Sequence, residues 1–249
     1  METISGKIDN KSTSLLTWEN NKNGANEMES PALDETIRKL YITFFQNCLS
    51  SIKKSFNNFC EDWQKYCGKF EKEYIKTLAD NNIIEPKWQT NMWYKFRGNV
   101  FEILLEKLFL KGAMSSEGFE NSYITPDNRQ HEDFTDAYAI MGKFLVGIQA
   151  KNHSWPIEHE YFTKADSMYA REIFKIPSED IDDYRKLPRQ YICSMSPLDN
   201  TFKSMHHEYD GRVKFIGPEK FNVIFKGVKP NLEYWFDEII DEIKNYSYN

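Results

Sequence analysis

The chain has 249 residues, of which 40% are hydrophobic, 15% aromatic and 28% charged, a balance that fits one water-soluble globular unit or one core plus an appendage and excludes a disordered polymer. No apolar run approaches the roughly 18 residues of a membrane span, and residues 1–30 lack the basic-then-apolar pattern of a secretory signal, so the expectation is a cytoplasmic protein without membrane contact. A formal charge of -6 excludes a generally basic nucleic-acid coat but leaves room for a local basic groove, and Cys48, Cys60, Cys67 and Cys193, set among apolar residues without C-x-x-C pairing, indicate reduced thiols rather than a disulfide framework or a zinc site.

Residues 1–30, with the run Asn20-Asn-Lys-Asn-Gly-Ala-Asn26, are poor in apolar side chains and read as a flexible arm. Asp34 can cap a helix, and Phe45, Leu49, Ile52, Phe56, Phe59, Trp63, Tyr66 and Phe70 recur in a 4-3-4-3 spacing. A single helix over residues 35–80 would be about 69 Å long. A compact chain of this size is only roughly 45 Å across. The helix must therefore break, with Asn57-Asn58 and Gly68 as the candidate positions, or find a partner. Bulky aromatics at the seam favour packing within the chain over a dimerising coil. Residues 31–88 are thus a helical region for packing or dimerisation, and residues 89–249 the second unit.

A further helix is predicted over residues 89–111, with Phe101, Leu104, Leu105, Leu108 and Phe109 as its apolar stripe and Gly112 as its stop. Residues 134–140 and 143–150 read as two strands joined at Met141-Gly142. A loop through Pro156, a helix over 161–174, a polar acidic stretch at 178–185, a strand at 190–195, a short helix at 201–209, a strand at 213–216 and a closing amphipathic helix at 232–246 follow. Pro126-Asp127 and Gly217-Pro218 read as turns.

The chemistry concentrates in Thr135-Asp-Ala-Tyr-Ala-Ile-Met-Gly-Lys-Phe-Leu-Val-Gly-Ile-Gln-Ala-Lys151. If Ile140 pairs with Lys143, strand alternation puts Asp136, Gln149 and Lys151 on one face, with Ile148 and Ala150 on the other and Gly147 leaving space above the acid. Asp133 faces away in that register, although one β-bulge reverses the choice. A carboxylate and an amide oxygen suit a hard cation such as Mg²⁺, and the Lys151 ammonium can hold a water or stabilise charge on phosphorus. From the preceding helix Glu102 borders the apolar stripe and is preferred over Glu106, with Gly98 permitting close helix–sheet approach.

Gly98-Asn-Val-Phe-Glu102 before a helix, then Asp136, then Gln149-Ala-Lys151, resembles the PD-(D/E)xK nuclease superfamily, most closely its Mrr-type restriction-endonuclease branch, in which Gln replaces the first acid of the last element. The resemblance covers about residues 89–226. It implies a restriction-endonuclease-like α/β/α core with a mixed central sheet, here preceded by an N-terminal helical region. By that likeness Glu102 is the helix acid, Asp136 the principal metal ligand, Gln149 a second ligand, the backbone carbonyl of Ala150 a third, and Lys151 the catalytic lysine. His131-Glu-Asp-Phe-Thr135 stands where many members carry glycines, which leaves the acid open between Asp136 and Asp133.

The function so implied is a Mg²⁺-dependent endonuclease, with Mn²⁺ able to substitute, that hydrolyses DNA in restriction or antiviral defence. It would act as a homodimer, or beside a separate helicase or ATPase subunit, since no P-loop is present. Lys95, Arg97, Lys143, Lys164 and Arg171 are candidates for steering the backbone, although Lys143 reads first as a turn charge. Asn152 and Ser154 are weaker candidates for phosphate contacts, and His153 for a phosphate contact or proton transfer. His206-His207-Glu208 cannot easily share one ion from a helix, and Trp155-Pro156 reads as a loop anchor. The alternative is a nuclease-like DNA- or protein-binding subunit that does not cut.

Overall fold

Aromatic side chains at helical spacing draw the first helices of the chain together. In the computed structural model, which describes residues 31–54, 56–80, 86–119, 124–126 and 136–245, α1 is Pro31–Lys54 and α2 is Phe59–Asp80, with a 3-10 turn at Phe56–Asn58 between them. The break falls at Asn57-Asn58. At Gly68 the helix runs on, because one helical glycine costs only about 1 kcal/mol and the buried Trp63, Cys67 and Phe70 around it outweigh that. The helix α3 (Pro86–Leu110) begins at a proline, whose fixed φ and missing N–H suit a first turn, rather than at Gln89. It ends where the sequence predicts: Gly112 has φ 68°, and the Gly112 and Ala113 N–H groups close on the Phe109 and Leu108 carbonyls at 3.0 and 2.9 Å.

The seam is filled from within the chain. Phe44 meets Phe70, Trp93 and Trp63 edge-on, with ring centroids 4.8, 5.1 and 5.6 Å away. Phe236 of the last helix, α7 (Lys229–Asn245), stacks on Trp63 at 6.0 Å and leans on Phe45 at 5.7 Å. The buried side chains of the N-terminal helices belong to the same cluster as those of the sheet and of α7, so they are core rather than a free coil surface.

Among the described residues five strands form one mixed sheet in the order β1 (Ile124–Pro126), β2 (Ala137–Met141), β3 (Phe144–Lys151), β4 (Gln190–Ser194), β5 (Val213–Ile216). The first two pairings are antiparallel and the last two parallel. Between β3 and β4 run α4 (His159–Ile173) and the short α5 (Ile181–Arg185). Phe162 and Ala165 of α4 pack with Ile192, Val213 and Phe215 on one sheet face. Val146, Ile148, Tyr191 and Cys193 on the other face join the cluster of α1 to α3, α7 and α6 (Pro218–Gly227). The chain is thus mixed α/β, with helices against both faces of the sheet. Among the described residues no helix is long and apolar enough to cross a membrane.

Three readings are corrected. The hairpin turn is Gly142-Lys143 with Met141 opposite Phe144, one position later than expected on each strand, because Gly142 at φ 60° supplies the left-handed turn residue. Gly217-Pro218 is a helix start, with Pro218 in the first turn of α6 and Phe221, Ile224 and Phe225 on its buried side. Residues 201–209 form turns and only a 3-10 helix, His206–Tyr209.

Trp63 ties α2 to α1 and α7, and Trp63→Ala is expected to cost about 3–5 kcal/mol, read by urea denaturation as one cooperative transition of the whole chain. A separate transition for the N-terminal helices would contradict a shared core.

Candidate functional site

The parallel strands β3, β4 and β5 carry their C-terminal ends to one edge of the sheet, the edge at which α/β proteins bind ligands. Lys151 is the last residue of β3, and Asp136 lies immediately before β2. The Asp136 N–H donates to the Ile148 carbonyl at 2.9 Å, while Ala137 is also the partner of Ile148. Two residues of one strand thus meet one residue of the other, a bulge that ends the alternation. Consequently Asp136 does not reach its neighbours by sharing a face with Gln149. Its carboxylate instead lies at the strand edge, where Oδ2 accepts the Ala150 N–H at 2.6 Å and stands 3.6 Å from the Lys151 ammonium. The N–H and C=O of one strand residue face the same neighbour, so the Ala150 carbonyl also points to the Asp136 side.

Glu102 arrives from α3. Burial first and the Asp136 charge second, against the opposing Lys151 ammonium, push its carboxyl up to about 7, so the helix acid sits within reach of both charges. Glu106 is raised by burial, with Lys107 as its opposing charge, and belongs to a different neighbourhood. The structure therefore gathers Glu102, Asp136, Ala150 and Lys151. Gln149 is buried on the α4 side of the sheet with Ile192 as its cross-strand neighbour. Asp133 lies outside the described residues.

Beyond Lys151 the chain is tied down residue by residue. The Asn152 amide is buried, accepting the Trp63 Nε1–H at 3.2 Å and donating to the Arg97 carbonyl at 2.8 Å, so it is a structural bridge and no phosphate contact. The His153 carbonyl accepts the Ser196 hydroxyl, and His153 Nδ1 donates to the Trp155 carbonyl at 2.7 Å. Burial pushes the imidazole down to about 4, which keeps it neutral at pH 7.

Several expected contributors are placed elsewhere. Arg97 is 0% exposed and donates to Gln64, so it cannot meet a nucleic-acid backbone at the surface. Lys143 pairs with Asp180 at the hairpin turn, and Lys164 with Glu160. Arg171 is exposed near the end of α4. The side chain of Lys95 lies outside the described residues. A Cβ on Gly147 would collide with the Gln190 side chain, so that space is filled rather than left for an ion. Gly98 has open space beside it and serves no close approach. The burial of Arg97 and Asn152 had no local signal in the sequence, because their partners are distant in the chain, Gln64 and Trp63 of α2 and, for Asn152, the Arg97 carbonyl of α3.

Among the described residues no group of three or more His, Cys, Asp and Glu side chains stands ready to hold a metal, and the gathered set offers two carboxylates and a backbone carbonyl. Compared with known proteins, the chain matches no family model, no curated protein and no solved structure.

The raised Glu102 carboxyl sets a pH dependence. The folded protein holds its proton to higher pH than the unfolded chain, so the stabilisation present below about pH 4.5 is lost as pH rises through about 7. Wild-type stability is expected to fall between pH 5 and pH 8 by at most about 3 kcal/mol from this group. In Glu102→Gln the decline should be smaller, only the lesser part owed to groups such as Glu106 remaining, which leaves the variant the more stable at pH 8 in denaturant titrations. An equal decline in both proteins would contradict the placement of Glu102.

Proposed function

We propose that the chain is a metal-dependent endonuclease that hydrolyses DNA phosphodiester bonds, with a restriction-endonuclease-like α/β/α core. The observation that carries this reading is the surplus of negative charge at the end of β3, where the buried Glu102 and the partly exposed Asp136 face, among the described residues, one cation, Lys151. Two like charges in one site raise a carboxyl pKa unless a further cation enters. The donors suit a hard divalent ion. Oδ2 of Asp136 is engaged by Ala150 and Lys151, and among the described residues Oδ1 has no partner, so it is the ligand atom, with Glu102 and the Ala150 carbonyl beside it.

Mg²⁺, or Mn²⁺ in its place, supplies neutralisation of the charge developing on phosphorus and a lowered pKa for a water. The protein's own part is to place these charges. The Ala150 N–H fixes the Asp136 carboxylate, so its geometry is set before substrate arrives. The Lys151 ammonium, 22% exposed, stands where it can hold the attacking water or a non-bridging phosphate oxygen. No side chain here is required as a covalent nucleophile, and the leaving 3′ oxygen takes its proton from water. The same residue pattern supports a role in restriction or antiviral defence inside the cytoplasm. Cutting both strands calls for two copies of the site, hence a homodimer, or for a partner helicase or ATPase subunit.

Incubation of the protein with supercoiled and linear plasmid, in Mg²⁺, Mn²⁺ or EDTA, tests the reading. Cleavage is expected with either metal and none with EDTA. Lys151→Ala and Asp136→Asn, the latter keeping an acceptor for Ala150, should each lower the rate by at least about a hundredfold without unfolding. DNA retention with no cleavage by the wild type would instead indicate a nuclease-like binding subunit. Unchanged cleavage by both variants would remove the proposed site.

A further inference from the structure

Next to Lys151 an aromatic surface is held out to solvent by a segment that has no slack. Trp155 is 38% exposed. Its indole lies on the His153 ring with centroids 4.2 Å apart and planes 7° apart, and Tyr94 meets it edge-on at 5.6 Å. Tyr161, in the first turn of α4, stacks against His153 at 5.6 Å, and the Lys151 ammonium lies 5.6 Å from the Tyr161 ring centroid. Rings thus run without a break from Lys151 through Tyr161 and His153 to Trp155. The backbone that carries them is anchored at Asn152, at His153 and at Ile157, whose N–H reaches the Pro197 carbonyl at 2.8 Å. An exposed tryptophan on a slack loop needs no explanation. One that is stacked, braced and set beside a cation is a prepared contact surface.

We propose that Trp155, backed by the His153 and Tyr161 rings, is a stacking platform for an unpaired nucleobase of the strand whose phosphate meets Lys151, so that the substrate is DNA that is single-stranded or locally unpaired at the cut. This rests on the nuclease reading above. Every base has a π-face, so such a platform is indifferent to sequence, and an ammonium beside it takes the phosphate of the same strand. A base inside a duplex has both faces covered by its neighbours and reaches a protein ring only after unstacking. The platform therefore selects unpaired strands by geometry rather than by base readout.

Fluorescence anisotropy in EDTA, where nothing is cut, tests this with a labelled single strand, its duplex and a strand of equal length built from abasic residues. The wild type is expected to bind the intact single strand about tenfold or more tightly than either of the others. Trp155→Leu should erase that preference and Trp155→Phe should keep most of it. Equal affinity of the wild type for intact and abasic strands, no measurable binding, or a Trp155→Leu protein of native circular dichroism that binds like the wild type would each overturn the proposal. The comparison of strands by the wild type needs no folded variant. Stacking preference without metal-dependent cleavage would refute the nuclease reading alone, and cleavage without stacking preference would refute the platform alone.

Discussion

The hydrogen bond from the Ala150 N–H to the Asp136 carboxylate fixes the geometry on which the candidate site depends. At 2.6 Å it occupies the position a backbone carbonyl would fill if β2 continued past Ala137. The bulge at Asp136 and Ala137 ends the ladder and leaves a strand donor in need of an acceptor, which the side chain supplies. One bond thereby satisfies the sheet edge and aims an acid. The Lys151 ammonium, one residue beyond that donor, follows from the same register.

The rest of the chain keeps this edge in place. Glu102 is brought to it by α3, whose buried Phe101, Leu104, Leu105 and Leu108 fix the helix against the sheet and the N-terminal helices. Trp63 belongs to both layers: its ring stacks in the core with Phe236, and its Nε1–H holds Asn152 just after the site. The N-terminal helices therefore act on the site through packing and through the segment that follows β3. The acid from α3 remains difficult to ionise because burial and Asp136 work against it while a single lysine works for it.

Local pattern made much of this legible. The hairpin, the strand over 213–216, the Gly112 stop and the break at Asn57-Asn58 follow from glycine placement and periodicity, and Glu102, Asp136 and Lys151 lie within electrostatic reach of one another, though not through the register the alternation implied. The shared face did not survive, because a bulge is set by long-range pairing and leaves no trace in alternation. Arg97 and Asn152 read as surface groups since their partners lie distant in sequence, on Gln64 and Trp63. The helix after Gly217 was legible in principle: a proline in the first turn, then Phe221, Ile224 and Phe225 at helical spacing.

Calorimetric titration of the protein with Mn²⁺ at pH 8, without nucleic acid, tests the proposal that Glu102 and Asp136 hold a divalent cation. Saturable binding is expected of the wild type, with release of protons as pH is lowered towards 7, and its loss in Asp136→Asn of native fold. Equal binding by wild type and variant, or none by either, would contradict it.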